Sequence, residues 1–303
     1  MISIIGAGRV GSALAFLLTS EALDDVVLVN KPKNKAIGES LDIMSALPAT
    51  TKTTITGTDE MNKIKKSNIV VITASAGTIK DERTDLLSFN VPIIEEISKD
   101  IRKFADDAKI IVVTNPVDII TYQVLKETEF DSHSVIGMGS SLDSTRYRYL
   151  IAKELAAKQN QIEGIVMGEH GNTMVPIFSS VKIDGKDLEL DKKQRSQIST
   201  ELKNFWRYLI AYKGESVFGA AKNTYDMVKA IFLDKQIFVP AQVYLDGEYG
   251  FNNLCMGVPV ILNGKGIDKI TEISLSASES ELLGISALRI KEIIEKMKME
   301  KSY

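Results

Sequence analysis

Short apolar runs, mostly β-branched, recur through the first half of this chain, and a longer helical pattern follows nearly every one. Ile2–Ile5 reads as a strand and residues 10–18 as the helix after it. Val26–Val29 and residues 36–47 repeat the pair, and Ile55 marks a third strand. Residues 69–73 (IVVIT) and 110–114 (IIVVT) are strands followed by helices over 86–104 and 119–126, and residues 135–138 form a sixth strand. The runs are apolar throughout rather than alternating, as strands covered on both faces require. Strand–helix alternation demands right-handed crossovers, so the expected architecture is a doubly wound parallel α/β sheet.

The texture changes after about Gly139. A helix over 142–155 leads into the run IEGIVM and the turn MGEHGNT (residues 167–173). Residues 182–188 (KIDGKDL) predict a hairpin turning at Asp-Gly. Helical patterns cover 192–212 and 223–233. Strand-like runs at 237–245 and 258–262 flank the turn-rich DGEYGFNN, and a charged amphipathic helix covers 279–297. This order predicts a second, mixed α+β domain. With 303 residues the chain is long enough for two lobes, which we place at 1–139 (dinucleotide) and 140–303 (substrate).

A net charge of −3, with Lys and Arg scattered, gives no global pull toward nucleic acid or an anionic membrane. The single cysteine, Cys255, excludes an internal disulfide and a cysteine-based zinc site. No metal is expected. The first residues read as neither signal peptide nor spanning helix, so the expected location is cytoplasmic.

Gly6-Ala7-Gly8-Arg9-Val10-Gly11 directly follows the first strand and opens a helix. Glycines there permit a tight turn and close approach of a pyrophosphate, whose charge the helix N-terminus stabilises. The pattern predicts a dinucleotide held by Gly6, Gly8, Arg9, Val10 and Gly11. The second strand ends in Asn30, where an acid that bonds the adenosine ribose is expected. Asn30 does not repel a 2′-phosphate, and Lys31 and Lys33 follow it, so both NAD and NADP stay open as the cofactor.

Four more pieces carry the chemistry. Arg83-Thr84-Asp85-Leu86-Leu87 follows the fourth strand, and Thr114-Asn115-Pro116-Val117-Asp118 follows the fifth. Gly139-Ser140-Ser141-Leu142-Asp143-Ser144-Thr145-Arg146 opens the helix after the sixth. Gly168-Glu169-His170-Gly171 places its histidine 27 residues after Asp143. In order and spacing these motifs resemble the lactate/malate dehydrogenase family over nearly the whole chain, closest to malate dehydrogenases of the lactate-dehydrogenase-like type in archaea and bacteria. The resemblance implies a Rossmann domain, a nicotinamide cofactor, a small-molecule dicarboxylate substrate and a homodimer or homotetramer.

It also implies roles that make chemical sense. Reducing a ketone by hydride needs a proton at the nascent alkoxide, and imidazole titrates near working pH. His170 would be that acid/base and Asp143 its partner. Arg146 would grip a substrate carboxylate in a planar fork, Arg83 would polarise the carbonyl, and Asn115 would bond the substrate oxygen. Ser216 completes the implied substrate set, and Thr73, Ala74, Asn90, Thr114 and Asn115 the cofactor set. Alone, each residue has a plainer reading: Asp143 as a helix cap, Arg146 as a solvated residue, Asn115 as part of a turn. His133 matches no role and reads as a surface loop residue.

The loop before Arg83 departs from the family pattern. Malate enzymes place an arginine there for the second carboxylate; here the loop is one residue short, with uncharged Thr78 or Gly77 at that position and Lys80 the nearest cation. Residues 213–221 (KGESVFGAA) and 244–250 (YLDGEYG) are of the malate type. The expected activity is malate dehydrogenase. The alternatives are an L-lactate or relaxed 2-hydroxy-acid dehydrogenase and, in another class, a non-catalytic nucleotide-binding protein.

Overall fold

The computed structural model of the chain describes residues 1–76 and 83–301. In its first half, β1 (Ile2–Ile5), α1 (Arg9–Ser20), β2 (Val26–Val29), α2 (Lys33–Ala46) and β3 (Ile55–Thr58) lead to β4 (Ile69–Ile72). Then come α3 (Leu87–Phe104), β5 (Lys109–Val112), α4 (Val117–Thr128) and β6 (Val135–Gly137). The strands are parallel, in the order β3-β2-β1-β4-β5-β6. Uniform hydrophobicity of the runs has a direct cause here. Ile2, Ile4, Val26 and Leu28 point into the core under α1 and α2, while Ile5, Val27, Val29, Val70 and Ile72 point into the core under α3 and α4.

The second half comprises α5 (Gly139–Glu154), β7 (Ile162–Glu163), β8 (Val166–Met167), β9 (Val175–Pro176), β10 (Lys182–Ile183), β11 (Lys186–Asp187), α6 (Lys192–Lys213) and α7 (Phe218–Phe232). It ends with β12 (Ile237–Asp246), β13 (Asn252–Asn263), β14 (Gly266–Ile270) and α8 (Ala277–Lys301). β12, β13 and β14 are antiparallel and extend the parallel sheet to nine strands through one pairing, Gln242 with Gly137. A separate core of Tyr147, Ile151, Val166, Ile198 and Leu202 joins α5 to α6 and the small strands. Among the described residues, no helix is long and apolar enough to cross a membrane.

Most expected elements form, with differences that have physical reasons. IEGIVM splits into two strands, β7 and β8, that belong to different small sheets. The run 258–262 is only the later part of β13, and β14 lies beyond the expected strands. α7 begins at Phe218, a turn before its apolar pattern becomes regular. The hairpin at 182–188 forms, and Asp184 (φ 49°) and Gly185 (φ 75°) take the left-handed backbone that its two-residue turn demands.

From β1 the chain winds toward β2 and β3 on one side and returns through β4 to β6 on the other. The C-terminal ends of β1 and β4 therefore flank a crevice where loops diverge, the place where an open sheet of this kind receives a ligand.

Candidate active site

That crevice is a cleft of about 490 Å³ whose lining includes Gly6, Gly8, Arg9, Val10, Gly11, Asn30, Lys31, Thr73 and Ala74. Gly6 sits at φ 119°, and a Cβ on it would lie 2.5 Å from the Ala74 nitrogen, so this close crossing of β1 and the β4 loop admits only glycine. A Cβ on Gly8 would meet nothing within 4 Å: the cleft is open there, beside the start of α1. Gly8 is also the N-cap and contributes no side-chain hydrogen bond, so the helix start has no side chain of its own over it. An anionic pyrophosphate fits this cradle.

Asn30 lines the cleft, yet its side chain braces the glycine loop: Oδ1 accepts the Ala7 N–H (3.0 Å) and Nδ2 donates to the Pro32 carbonyl (3.2 Å). Lys31 pairs with Glu96 on α3. Lys33 faces Asp59 and Glu60 instead, and Lys35 takes a place in the cleft wall. Asn90 stands apart from the other expected cofactor residues. It is fully buried, accepts from the Ala76 N–H (2.8 Å) and donates to the Asn115 carbonyl (2.7 Å), tying the β4 loop to the β5 loop. Thr114 clamps the same two loops through the Ala74 carbonyl, and Thr73 ties the β4 loop to the glycine loop through the Gly6 carbonyl.

A second cleft of about 250 Å³ adjoins the first, with Asn115, Arg146, His170, Ser216 and Trp206 in its wall. α5 starts immediately after β6, so Asp143 and Arg146, three residues apart, share one face of its first turns. Asp143 is 1% exposed, and its Oδ2 lies 2.5 Å from Nδ1 of His170, itself 6% exposed. Its other oxygen stands 3.5 Å from Nη1 of Arg146. Arg146 also donates through Nη2 to Ser216 Oγ (3.0 Å). The imidazole packs against the start of α5, where a Cβ on Gly139 would lie 2.5 Å from the ring. Asn115 keeps a buried carboxamide oxygen with no hydrogen-bond partner among the described residues, a polar group in the wall suited to a ligand.

Several further contacts shape this site, some from residues inside the motifs and some, such as Trp206, Gln242 and Ser286, from residues with no sequence signal of their own. Asp118, buried on α4, accepts the His170 backbone N–H at 2.9 Å. Burial pushes its carboxyl well above the ordinary range, and the nearby Glu169 charge adds to this. The turn bearing His170 is also pinned through paired backbone bonds between Gly168 and Gly257 (2.8 and 3.1 Å), and Ser286 on α8 accepts the Glu169 N–H (2.7 Å). Gln242 holds Ser140 from β12. Trp206, the single tryptophan, sits on α6 and contributes an apolar wall. Arg9 and Glu215 bridge the glycine loop to the segment before α7 at 2.7 Å.

Arg83 opens the short 3-10 helix Arg83–Leu86 at the head of α3, and the neighbouring Thr84 shares a small cavity with His170. Thr78 and Lys80 lie outside the described residues. His133 is exposed, in the 3-10 helix Ser132–Ser134.

Residues 1–137 match the NAD binding domain of lactate/malate dehydrogenase, and residues 140–301 match the alpha/beta C-terminal domain of the same family. The chain belongs to the lactate/malate dehydrogenase family. A malate dehydrogenase of Staphylococcus saprophyticus is 38% identical over 98% of both chains. Among solved structures, Cryptosporidium parvum malate dehydrogenase superposes with a TM-score of 0.95 at 29% identity, covering 98% of both chains. A lactate dehydrogenase of the same organism, complexed with lactic acid and nicotinamide adenine dinucleotide, also reaches 0.95, at 30% identity over 98% of this chain and 97% of that one. His170 and Arg146 line the smaller cleft with Asp143 behind them, and the larger cleft meets it at Val10, Thr73, Ser75 and Glu215.

Proposed function

We propose that the protein is an NAD(H)-dependent malate dehydrogenase that interconverts malate and oxaloacetate, and that its nucleotide and substrate parts divide near residues 139 and 140. The buried His170–Asp143 pair, with His170 and Arg146 in the wall of the smaller cleft, carries this reading. A dinucleotide with its pyrophosphate in the larger cleft would bring a nicotinamide group to supply or accept the hydride at the smaller one. The remaining work falls to the chain. Asp143 occupies Nδ1 of His170, which fixes the ring and leaves Nε2 as the nitrogen that gives a proton to the carbonyl oxygen in reduction and takes it back in oxidation. The Asp143 carboxylate stabilises the imidazolium form in the reverse direction. Arg146 holds the carboxylate next to the reacting carbon, with Ser216 steadying the guanidinium. Asn115 bonds the substrate oxygen, and Arg83 stabilises the charge that develops there.

The substrate's second carboxylate needs a counter-charge, because an unpaired charge in a closed site is costly. We assign this to Lys80, the cation nearest the shortened loop, with Thr78 beside it. Relatives named malate dehydrogenase and the malate-type segment 213–221 favour the dicarboxylate over lactate. Steady-state rates with oxaloacetate and pyruvate, each with NADH and NADPH, test the assignment: oxaloacetate with NADH should be fastest, and a higher kcat/KM for pyruvate overturns it. The working form is a homo-oligomer in the cytoplasm. Exposed Phe16, Leu41 and Met44 on α1 and α2 supply the apolar surface such an association needs. A monomer mass by light scattering at micromolar concentration would contradict this.

A further inference from the structure

At the ribose end of the larger cleft, two walls of opposite origin face each other. Lys31 and Lys35 come from the β2–α2 side, and Glu96 and Asp100 from one face of α3, four residues apart. Two cations thus meet two anions. Lys31 Nζ lies 2.8 Å from Glu96 Oε1, an ion pair across 65 residues of sequence. Both side chains are about two-thirds exposed (65% and 67%), so the pair contributes little to stability. Its effect is on charge placement. The bond to Glu96 and its charge, followed by Asp100 and Asp59, raise the lysine's pKa, so the cation is already engaged on the protein's own side. Lys33 is drawn away by Asp59 and Glu60. The stretch after Asn30 is therefore not a free basic patch.

We propose that Glu96 is a specificity-determining residue for the cofactor, supplying from α3 the anion that Asn30 does not carry and occupying Lys31, so that the dinucleotide without a 2′-phosphate is selected. A phosphate arriving at the 2′ position must take Lys31 from Glu96. The displaced carboxylate stays tethered to α3 beside Asp100, and both repel the newcomer. A free ribose hydroxyl is neutral and meets no such repulsion. The inference rests on reading this cleft as a dinucleotide site and adds which residue does the choosing.

Binding separates the two ideas without turnover. Titration calorimetry with ADP-ribose and 2′-phospho-ADP-ribose, on the wild type and Glu96→Gln, gives the ratio of the two Kd values. The wild type should favour ADP-ribose, and Glu96→Gln should shift the ratio toward the phosphorylated ligand by about tenfold, the scale of one removed like-charge contact in a partly solvated site. Adding Lys31→Ala to Glu96→Gln should abolish most of that shift. If both ligands bind and the ratio is the same in wild type and Glu96→Gln, the role of Glu96 is overturned. If neither ligand binds the wild type, the dinucleotide reading of the cleft fails with it.

Discussion

The carboxylate of Asp143 meets Nδ1 of His170 at 2.5 Å, with both side chains shielded from water. A histidine so held presents one defined tautomer, and the other ring nitrogen becomes its working end. His170→Asn should therefore cut turnover at least ~100-fold, the usual scale of a positioned proton donor, while NADH still binds. Asp143→Asn should fall by a comparable factor, because an amide can hold the ring in the wrong tautomer. Rates and NADH titrations on the two variants check this; turnover near wild type in either one removes that residue from the mechanism.

Arg146 is fixed by Ser216 and flanked by Asp143, so its fork is preorganised. Lysine keeps the charge and loses the second point of attachment. Arg146→Lys should lower kcat/KM for oxaloacetate about 10- to 100-fold, since a hydrogen bond to a charged group contributes about 1.5–3 kcal/mol. The loss should show mainly in KM, and a loss confined to kcat would mean that Arg146 acts on chemistry rather than on grip.

With Lys80 assigned to the second carboxylate, a lysine's point charge replaces an arginine's planar fork, so discrimination between dicarboxylate and monocarboxylate should be loose. Measurable side activity on pyruvate is expected. Lys80→Ala should reduce kcat/KM for oxaloacetate by about 1–3 kcal/mol of transition-state binding and move pyruvate far less. An equal loss with both substrates would assign the lysine to loop closure instead.

Asp118 links pH to stability. Its carboxyl is raised in the folded chain, by burial first and then by the Glu169 charge, above an ordinary value of 3.8. Its contribution to stability is complete below 3.8 and is lost as pH rises through the folded-state value, because folding must then carry a buried charge. Asp118→Asn cannot ionise and still offers an oxygen to the His170 N–H. The Tm of Asp118→Asn relative to wild type should thus climb as pH is raised from 4 toward neutrality. A difference that stays flat across this range contradicts the account.

Much of this was legible in the sequence where a single constraint acted locally. Strands such as Val26–Val29 were plain because two faces are buried and every position must be apolar. The first half of β13 was not, since Asn252, Asn253 and Gly257 look like turn residues. Only the pairing with β12 makes that segment a strand. The same division holds in the site. His170, Asp143 and Arg146 stand in compact motifs, whereas Trp206 follows a helical period that any core residue could share. Ser286 reaches Glu169 across 117 residues and Gln242 reaches Ser140 across 102, contacts that exist only once the chain is folded. Lys31 shows the limit most directly: its charge was evident, but its partner Glu96 lies on α3, 65 residues away.

The hydrogen bond from the His170 backbone to Asp118 runs between the two halves of the molecule. His170 belongs to the second half, and the carboxylate that accepts its main-chain N–H belongs to α4 of the first. The halves are consequently not interchangeable parts. A chimaera that takes its nucleotide-binding half from a distant homologue would have to bring an acceptor to this one position, or its histidine would be present and misaimed.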